Sequence, residues 1–156
     1  MGGCFVETEQ IIVFKLQEQE FGINIAEVLE VQNYSTIRSI PGVAKYVEGI
    51  INVRGTVYSI INLHTRLGLM PCEEESNSKF ILLDLESPHV VFVVDSVAEI
   101  LTVDKSAIEQ SQQVSSKDEV SCVKGIIKKQ DRIILILDRD VILLDVQNIV
   151  LQDKDA

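Results

Sequence analysis

The sequence predicts an all-β protein built from two copies of one small module. Three observations carry that expectation. Forty of the 156 residues are Ile or Val and only five are Ala. β-Branched side chains suit a pleated strand, whereas Ala is the strongest helix former. Short apolar runs recur along the chain, separated by polar turns. The pattern of those runs also repeats at two fixed offsets.

In chain order, residues 1–9 read as a short disordered lead. Ile11–Leu16 is a strand, ended by the polar turn Gln17–Glu20. Phe21, Ile23 and Ile25 alternate with Gly22 and Asn24, the pattern of a half-buried strand. Val28–Val31 is extended, and Pro41-Gly42 marks a turn. Glu48–Val53 and Thr56–Ile61 form a hairpin about Arg54-Gly55. Asn62 is placed to cap a short helix with Leu63 and Leu67 on one face and Gly68 at its end. Residues 69–79 form a linker, with Glu73–Ser78 as a solvated loop.

A shift of 69 residues lays Ile12, Phe14 and Leu16 on Ile81, Leu83 and Leu85. The same shift lays Phe21, Ile23 and Ile25 on Val90, Phe92 and Val94, and Val28–Val31 on Val97–Ile100. A shift of 76 lays Val47–Ile51 on Val123–Ile127, and Ile60, Ile61 and Asn62 on Ile136, Leu137 and Asp138. The polar stretch Asp104–Glu119 absorbs the extra length. Asp138 then caps a second helix, carrying Val141, Leu144 and Asp145. The expectation is one domain over residues 10–150, made of β modules 11–68 and 80–145, with a tail at 151–156. Five short strands apiece suit small closed barrels, which leave no exposed edges.

Composition narrows the function. Fourteen basic against 24 acidic residues give a net charge of −10. Such a chain repels phosphate backbones and anionic membrane surfaces. Eight aromatic residues, none of them Trp, make a poor base-stacking platform. The longest apolar run, Val90–Val94, is far too short to span a membrane. Gly2 follows Met1, but Val6 stands where a myristoylation signal needs Ser or Thr. A chain this long buries roughly 70% of the surface its unfolded form exposes, so its core needs neither disulfides nor metal. Cys4, Cys72 and Cys122 are odd in number and widely spaced, which points to a reducing compartment.

Catalytic constellations are sparse. Cys122 with His64 or His89 is the one formal nucleophile pair, and neither histidine is placed as a pre-organised base. Cys and His spacings support no metal site, and no phosphate loop or nucleophile elbow is present. Asp138 and Asp140 read as helix-start carboxylates. The polar element that stands out is Asn52-Val53-Arg54-Gly55 at a hairpin tip. Arginine offers a rigid planar fork and is enriched at binding hot spots. An exposed turn residue, or a partner for Glu30, remains the alternative for Arg54.

Phe14-Lys15-Leu16, Phe21–Ile25 and Val28–Val31 resemble the opening of the CheW family. Pro41 followed by Val47-Glu48-Gly49-Ile50-Ile51-Asn52-Val53-Arg54-Gly55 is the most specific stretch, and Val93–Val97 and Val123–Gly125 complete it in order. The resemblance spans about residues 10–150. It implies two intertwined five-stranded β-barrels with a few short helices, and elements exchanged between barrels. It implies a non-catalytic adaptor without cofactor or metal. Such adaptors couple chemoreceptor signalling tips to the regulatory domain of the histidine kinase CheA. By that resemblance the protein is cytoplasmic, at receptor arrays, with other CheW-like chains as further partners and with no nucleic acid or membrane insertion. The receptor-contact positions so implied are Val28, Glu30, Gly49, Asn52, Arg54, Gly55 and Val57. Val28 and Val57 would anchor a helix in the groove between the barrels, Arg54 would orient it, and Gly49 would permit close approach. Ser59, Val91 and Phe92 depart from the family pattern, with an altered strand edge and a reshaped surface as the expected results. The alternatives are a paralogous, non-flagellar chemosensory pathway and a ligand-binding β-barrel module.

Overall fold

The computed structural model describes residues 7–43, 45–70, 77–110 and 122–144. Eleven strands appear among them: β1 (Thr8–Leu16), β2 (Gln19–Asn24), β3 (Val28–Asn33), β4 (Val47–Val53), β5 (Thr56–Asn62), β6 (Lys79–Leu83), β7 (Val90–Val94), β8 (Ser96–Asp104), β9 (Ile108–Gln110), β10 (Val123–Lys129) and β11 (Arg132–Leu137). Helix α1 spans Leu63–Arg66 and helix α2 covers residues 139–144. No helix among the described residues is long and apolar enough to cross a membrane.

The strands form two sheets. Sheet A has the order β8-β1-β2-β11-β10-β9, and sheet B the order β3-β6-β7-β5-β4. Each sheet draws strands from both sequence modules. β1 and β2 leave the first module to pair with β8 and β11, while β6 and β7 leave the second to pair with β3 and β5. The modules are therefore units of repetition, and the spatial units are exchanged.

The repeat holds at the level of register. Ile60 pairs in parallel with Val91, and Ile136 with Gly22. These pairs are related by the same 76- and 69-residue shifts. Bulges repeat too: the ladder skips Leu29 on β3 and Ala98 on β8, and it slips between Val47 and Gly49 on β4 and between Val123 and Gly125 on β10. Asn62 Oδ1 accepts the N–H of Thr65 (3.2 Å), and Asp138 Oδ1 accepts that of Val141 (3.3 Å), so both predicted caps form.

Each sheet closes by bending an edge strand round onto the opposite edge. After β3, the chain returns to β4, where Arg38 N–H donates to Ile50 O (3.0 Å) and Ile50 N–H to Arg38 O (2.9 Å). In sheet A only residues 105–107 separate β8 on one edge from β9 on the other. The repeated glycine sits under each closure. A Cβ on Gly49 would overlap the carbonyl oxygen of Arg38; one on Gly125 would come within 2.8 Å of Ile108 Cγ2.

Three apolar cores follow. One fills barrel B, with Ile51, Tyr58, Ile60, Phe80, Leu82 and Val91 among its members. Another fills barrel A, around Ile11, Val13, Ile127, Ile134 and Ile136. The largest lies between the barrels, where Phe14, Phe21, Ile61, Ile81, Phe92 and Leu137 meet. Strands β6 and β7 are consequently buried on both faces, as is the centre of β2 at Phe21, Gly22 and Ile23, which corrects the half-buried expectation there.

Other expectations shift with these contacts. Thr8 and Glu9, assigned to the lead, already pair with Asp104 and Val103. In α2, Ile142 and Leu143 are buried and Leu144 is exposed; Asp145 lies outside the described residues. β5 is an interior strand, so Ser59 alters no edge; its N–H donates to His89 O (2.9 Å), a bond proline cannot make. Val91 and Phe92 are fully buried, so their bulk fills cores rather than reshaping a surface. Residues 73–76 of the expected Glu73–Ser78 loop and 111–119 of the Asp104–Glu119 stretch fall outside the described residues, while Ser78 is buried rather than solvated, its carbonyl accepting the Tyr34 N–H (3.2 Å).

Candidate functional site

The seven candidate residues all lie on or beside sheet B, and the fold gives them three different settings. Arg54 and Gly55 form the two-residue turn of the β4–β5 hairpin, both at positive φ (51° and 88°), the geometry that matches strand twist. Asn52 Oδ1 accepts the N–H of Gly55 (2.9 Å) and fixes that turn. From it, the Arg54 guanidinium donates through Nη2 to Glu30 Oε2 on β3. Gln32 Nε2 donates to the other Glu30 oxygen (2.8 Å). These bonds hold the Glu30 carboxyl below its ordinary range, with Gln32 the larger cause and Arg54 the next. The Arg54 side chain stays 67% exposed, so most of its fork faces outward.

Val57 is 50% exposed and lines a shallow cavity of about 350 Å³ with Thr36, Arg38, Ile50, Ile51 and Asn52. Side chains alternate between sheet faces, and directly paired residues share one. Val57 therefore shares its face with Ile61, a member of the core between the barrels. Val28 packs against that same core.

Gly49 stands apart. It is buried beneath the closing segment at Arg38, so a side chain there meets its own barrel before any groove. Its need for glycine has a cause inside barrel B, independent of the close approach of a partner expected at this position.

Two exposed residues of β3 were missed by the sequence reading. Leu29 (52% exposed) is the extra residue of the bulge, and Val31 pairs with Ile81 and so lies on the inter-barrel face. The signal was present as consecutive apolar residues, Val28-Leu29, in a strand that otherwise alternates. The repeat carries the feature into sheet A. Ile100 pairs with Ile12 and Ile133 alternates with Leu135 and Leu137, and both are more than half exposed. Each barrel thus presents apolar side chains where its sheet runs past the shared core.

Barrel A has its own arginine device. Arg132 on β11 donates to Glu20 on β2 through Nε (3.1 Å) and Nη2 (2.6 Å), and pairs with Glu99 on β8 (2.7 Å). Glu99 is the repeat counterpart of Glu30. Arg132 ties three strands together, whereas Arg54 holds a single carboxylate at an exposed turn.

As a base for Cys122, His64 is already committed to other partners. Both ring nitrogens of His64 face acceptors, Nδ1 the Met70 carbonyl (2.6 Å) and Nε2 Asp95 Oδ1 (2.7 Å). His89 is exposed and packs against Tyr58, with ring centroids 5.4 Å apart. Among the described residues no group of His, Cys, Asp and Glu is arranged to hold a metal ion.

The CheW-like domain model matches residues 10–147. The chain is 30% identical over 135 residues to "Chemotaxis protein CheW" of Bacillus subtilis (strain 168), covering 86% of each. To the protein of the same name from Rhizobium meliloti (strain 1021) it is 31% identical over 131 residues, 84% of each. Its fold superposes with a TM-score of 0.80 on the crystal structure of the scaffolding protein TtCheW from Thermoanaerobacter tengcongensis, at 30% identity, covering 88% of this chain and 94% of that one. A match along nearly the whole chain, on a fold whose strand exchange and repeat agree with it, means that this chain belongs to the CheW-like domain family.

Proposed function

We propose that this protein is a non-catalytic adaptor of bacterial chemotaxis that couples chemoreceptors to the histidine kinase CheA. The receptor's helical tip docks on the inter-barrel face of sheet B. The observation that supports this docking site is that Val31 on β3 and Val57 on β5 are both apolar and exposed, while the Arg54–Glu30 pair ties the β4–β5 turn to β3. A helix laid against such a surface gains affinity from the apolar anchors, and a charged fork at the edge sets its register. Asn52 and Gly55 contribute by holding the turn, Val28 by joining the surface to the core, and Gly49 by closing the barrel. The regulatory domain of the kinase is the second partner and other CheW-like chains are further ones. Such work places the protein on the cytoplasmic side, at receptor arrays. Modest individual contacts suffice there because an array multiplies them.

The test is retention of the purified chain by an immobilised receptor signalling-tip fragment and, separately, by the kinase regulatory domain. Retention by both is expected. Retention by neither would overturn the adaptor reading.

A further inference from the structure

Asp95 is the single residue between β7, in sheet B, and β8, in sheet A, so here the chain crosses from one barrel to the other within one residue. Its N–H donates to the carbonyl of Lys15 on β1 (3.0 Å). Its carboxylate engages two more segments. Oδ2 accepts the backbone N–H of Gln17 in the β1–β2 turn (2.5 Å), and Oδ1 meets His64 Nε2 on α1 (2.7 Å). His64 is 2% exposed, and its Nδ1 meets the Met70 carbonyl (2.6 Å). That carbonyl also accepts from Gln17 Nε2 (2.8 Å), which closes a ring of four residues.

Gln17 belongs to barrel A, while His64 and Met70 follow β5 of barrel B. The ring therefore bridges the seam. The apolar core beneath makes the barrels adhere, but apolar contact is non-directional and leaves the seating loosely specified. Hydrogen bonds are directional, and those to the buried His64 imidazole are strengthened by the partial exclusion of water, while the two from Gln17 are exposed.

We infer that Asp95 and His64 are positioning residues, a latch that sets how the two barrels sit and hence the separation of the apolar lips between them. On this face barrel B exposes Val31 and Val57, and barrel A exposes Ile100 and Ile133. The inference rests on the proposal that a helical receptor tip docks against this inter-barrel face. A docked helix requires fixed spacing, since packed helical surfaces interdigitate over a narrow range of distances.

The test uses the full chain with its three cysteines replaced by serine and spin labels at two exposed positions, Glu86 in barrel B and Asp131 in barrel A. Distance distributions between the labels and affinity for a receptor-tip fragment are measured for the parent, Asp95→Ala and Asp95→Asn. The amide of asparagine can still accept from the Gln17 N–H and, with His64 in the Nδ1–H tautomer that serves the Met70 carbonyl, donate to Nε2, so it restores the ring. In Asp95→Ala the strand amides keep slow hydrogen exchange, the distribution broadens and affinity falls roughly tenfold. Asp95→Asn returns both to parental values. A distribution in Asp95→Ala as narrow as the parent's overturns the latch, and so does a broadened one with parental affinity. Should Asp95→Ala not fold, Asp95→Asn decides alone: parental distances and affinity support the latch, and loss of either overturns it. Failure of the parent to bind the fragment counts against the docking proposal alone, because the distances still report the latch.

Discussion

Replacing Gly49 by alanine should be the most damaging one-methyl change in this protein. The new Cβ overlaps the carbonyl oxygen of Arg38 and comes within 2.8 Å of both its carbonyl carbon and Ile37 Cγ2. The severest overlap is with backbone, the Arg38 carbonyl, which leaves little that can yield. The closing segment must lift, and with it go the two hydrogen bonds between Arg38 and Ile50. Each contributes about 1 kcal/mol net, and the steric conflict adds roughly 1–3 kcal/mol. The expected loss is about 3–5 kcal/mol. Gly125 provides a control within the same molecule. Its nearest contact is the side-chain atom Ile108 Cγ2, and the Glu109 carbonyl lies at 3.4 Å. A rotamer adjustment absorbs most of that, so Gly125→Ala should cost about 1–2 kcal/mol. Urea unfolding of the two variants beside the parent measures the difference. Losses within about 1 kcal/mol of each other would refute the closure argument, given the uncertainty of extrapolated stabilities. A Gly49→Ala variant of parental stability that no longer binds receptor would return the residue to the groove.

Arg54→Ala should leave the urea midpoint nearly unchanged, since an exposed pair adds little to stability, and should abolish receptor-dependent kinase activation in a reconstituted assay. Val57→Asp should likewise fold normally and weaken binding to a receptor-tip fragment, read by titration; parental affinity would remove Val57 from the site. Arg132→Ala should lower the midpoint at pH 7. Hydrogen bonds from Arg132, foremost, hold the Glu20 carboxyl below its ordinary value of 4.5. That stabilisation is present above pH 4.5 and is lost as pH falls through the lower, folded-state value, so the gap to the parent should close on acidification. Asn62→Ala, which removes the α1 cap, should cost about 1 kcal/mol in the same unfolding assay.

Much of the architecture was legible because the repeat is written in side-chain types. The 69-residue shift pairs Phe14 with Leu83, and the 76-residue shift pairs Asn62 with Asp138; the structure gives each pair equivalent work. Strand exchange was not legible from the residues themselves. When Ile12 and Ile81 have the same character, local alternation does not say which copy pairs with which. Only the family resemblance pointed to exchange. Double-sided burial of β2 was hidden for a related reason, since Gly22 reads as a gap in a one-faced strand until a second barrel core is laid against it. Gly49 looked like an opening for a partner because the segment that covers it, at Arg38, carries no turn or strand signature. The Arg54–Glu30 pair was visible as one option among several, and the fold realises it. The Asp95–His64 ring had no signature at all, since its members are scattered from Gln17 to Asp95.

Coupling of receptor to kinase is measured by receptor-dependent phosphorylation in a mixture of receptor signalling fragments, the kinase and this purified protein. Adding the chain should raise kinase autophosphorylation only when receptor is present, and the Arg54→Ala chain at the same concentration should not. An unchanged rate with the parent chain, under conditions where it is folded and both partners are active, would show that the chain does not couple them.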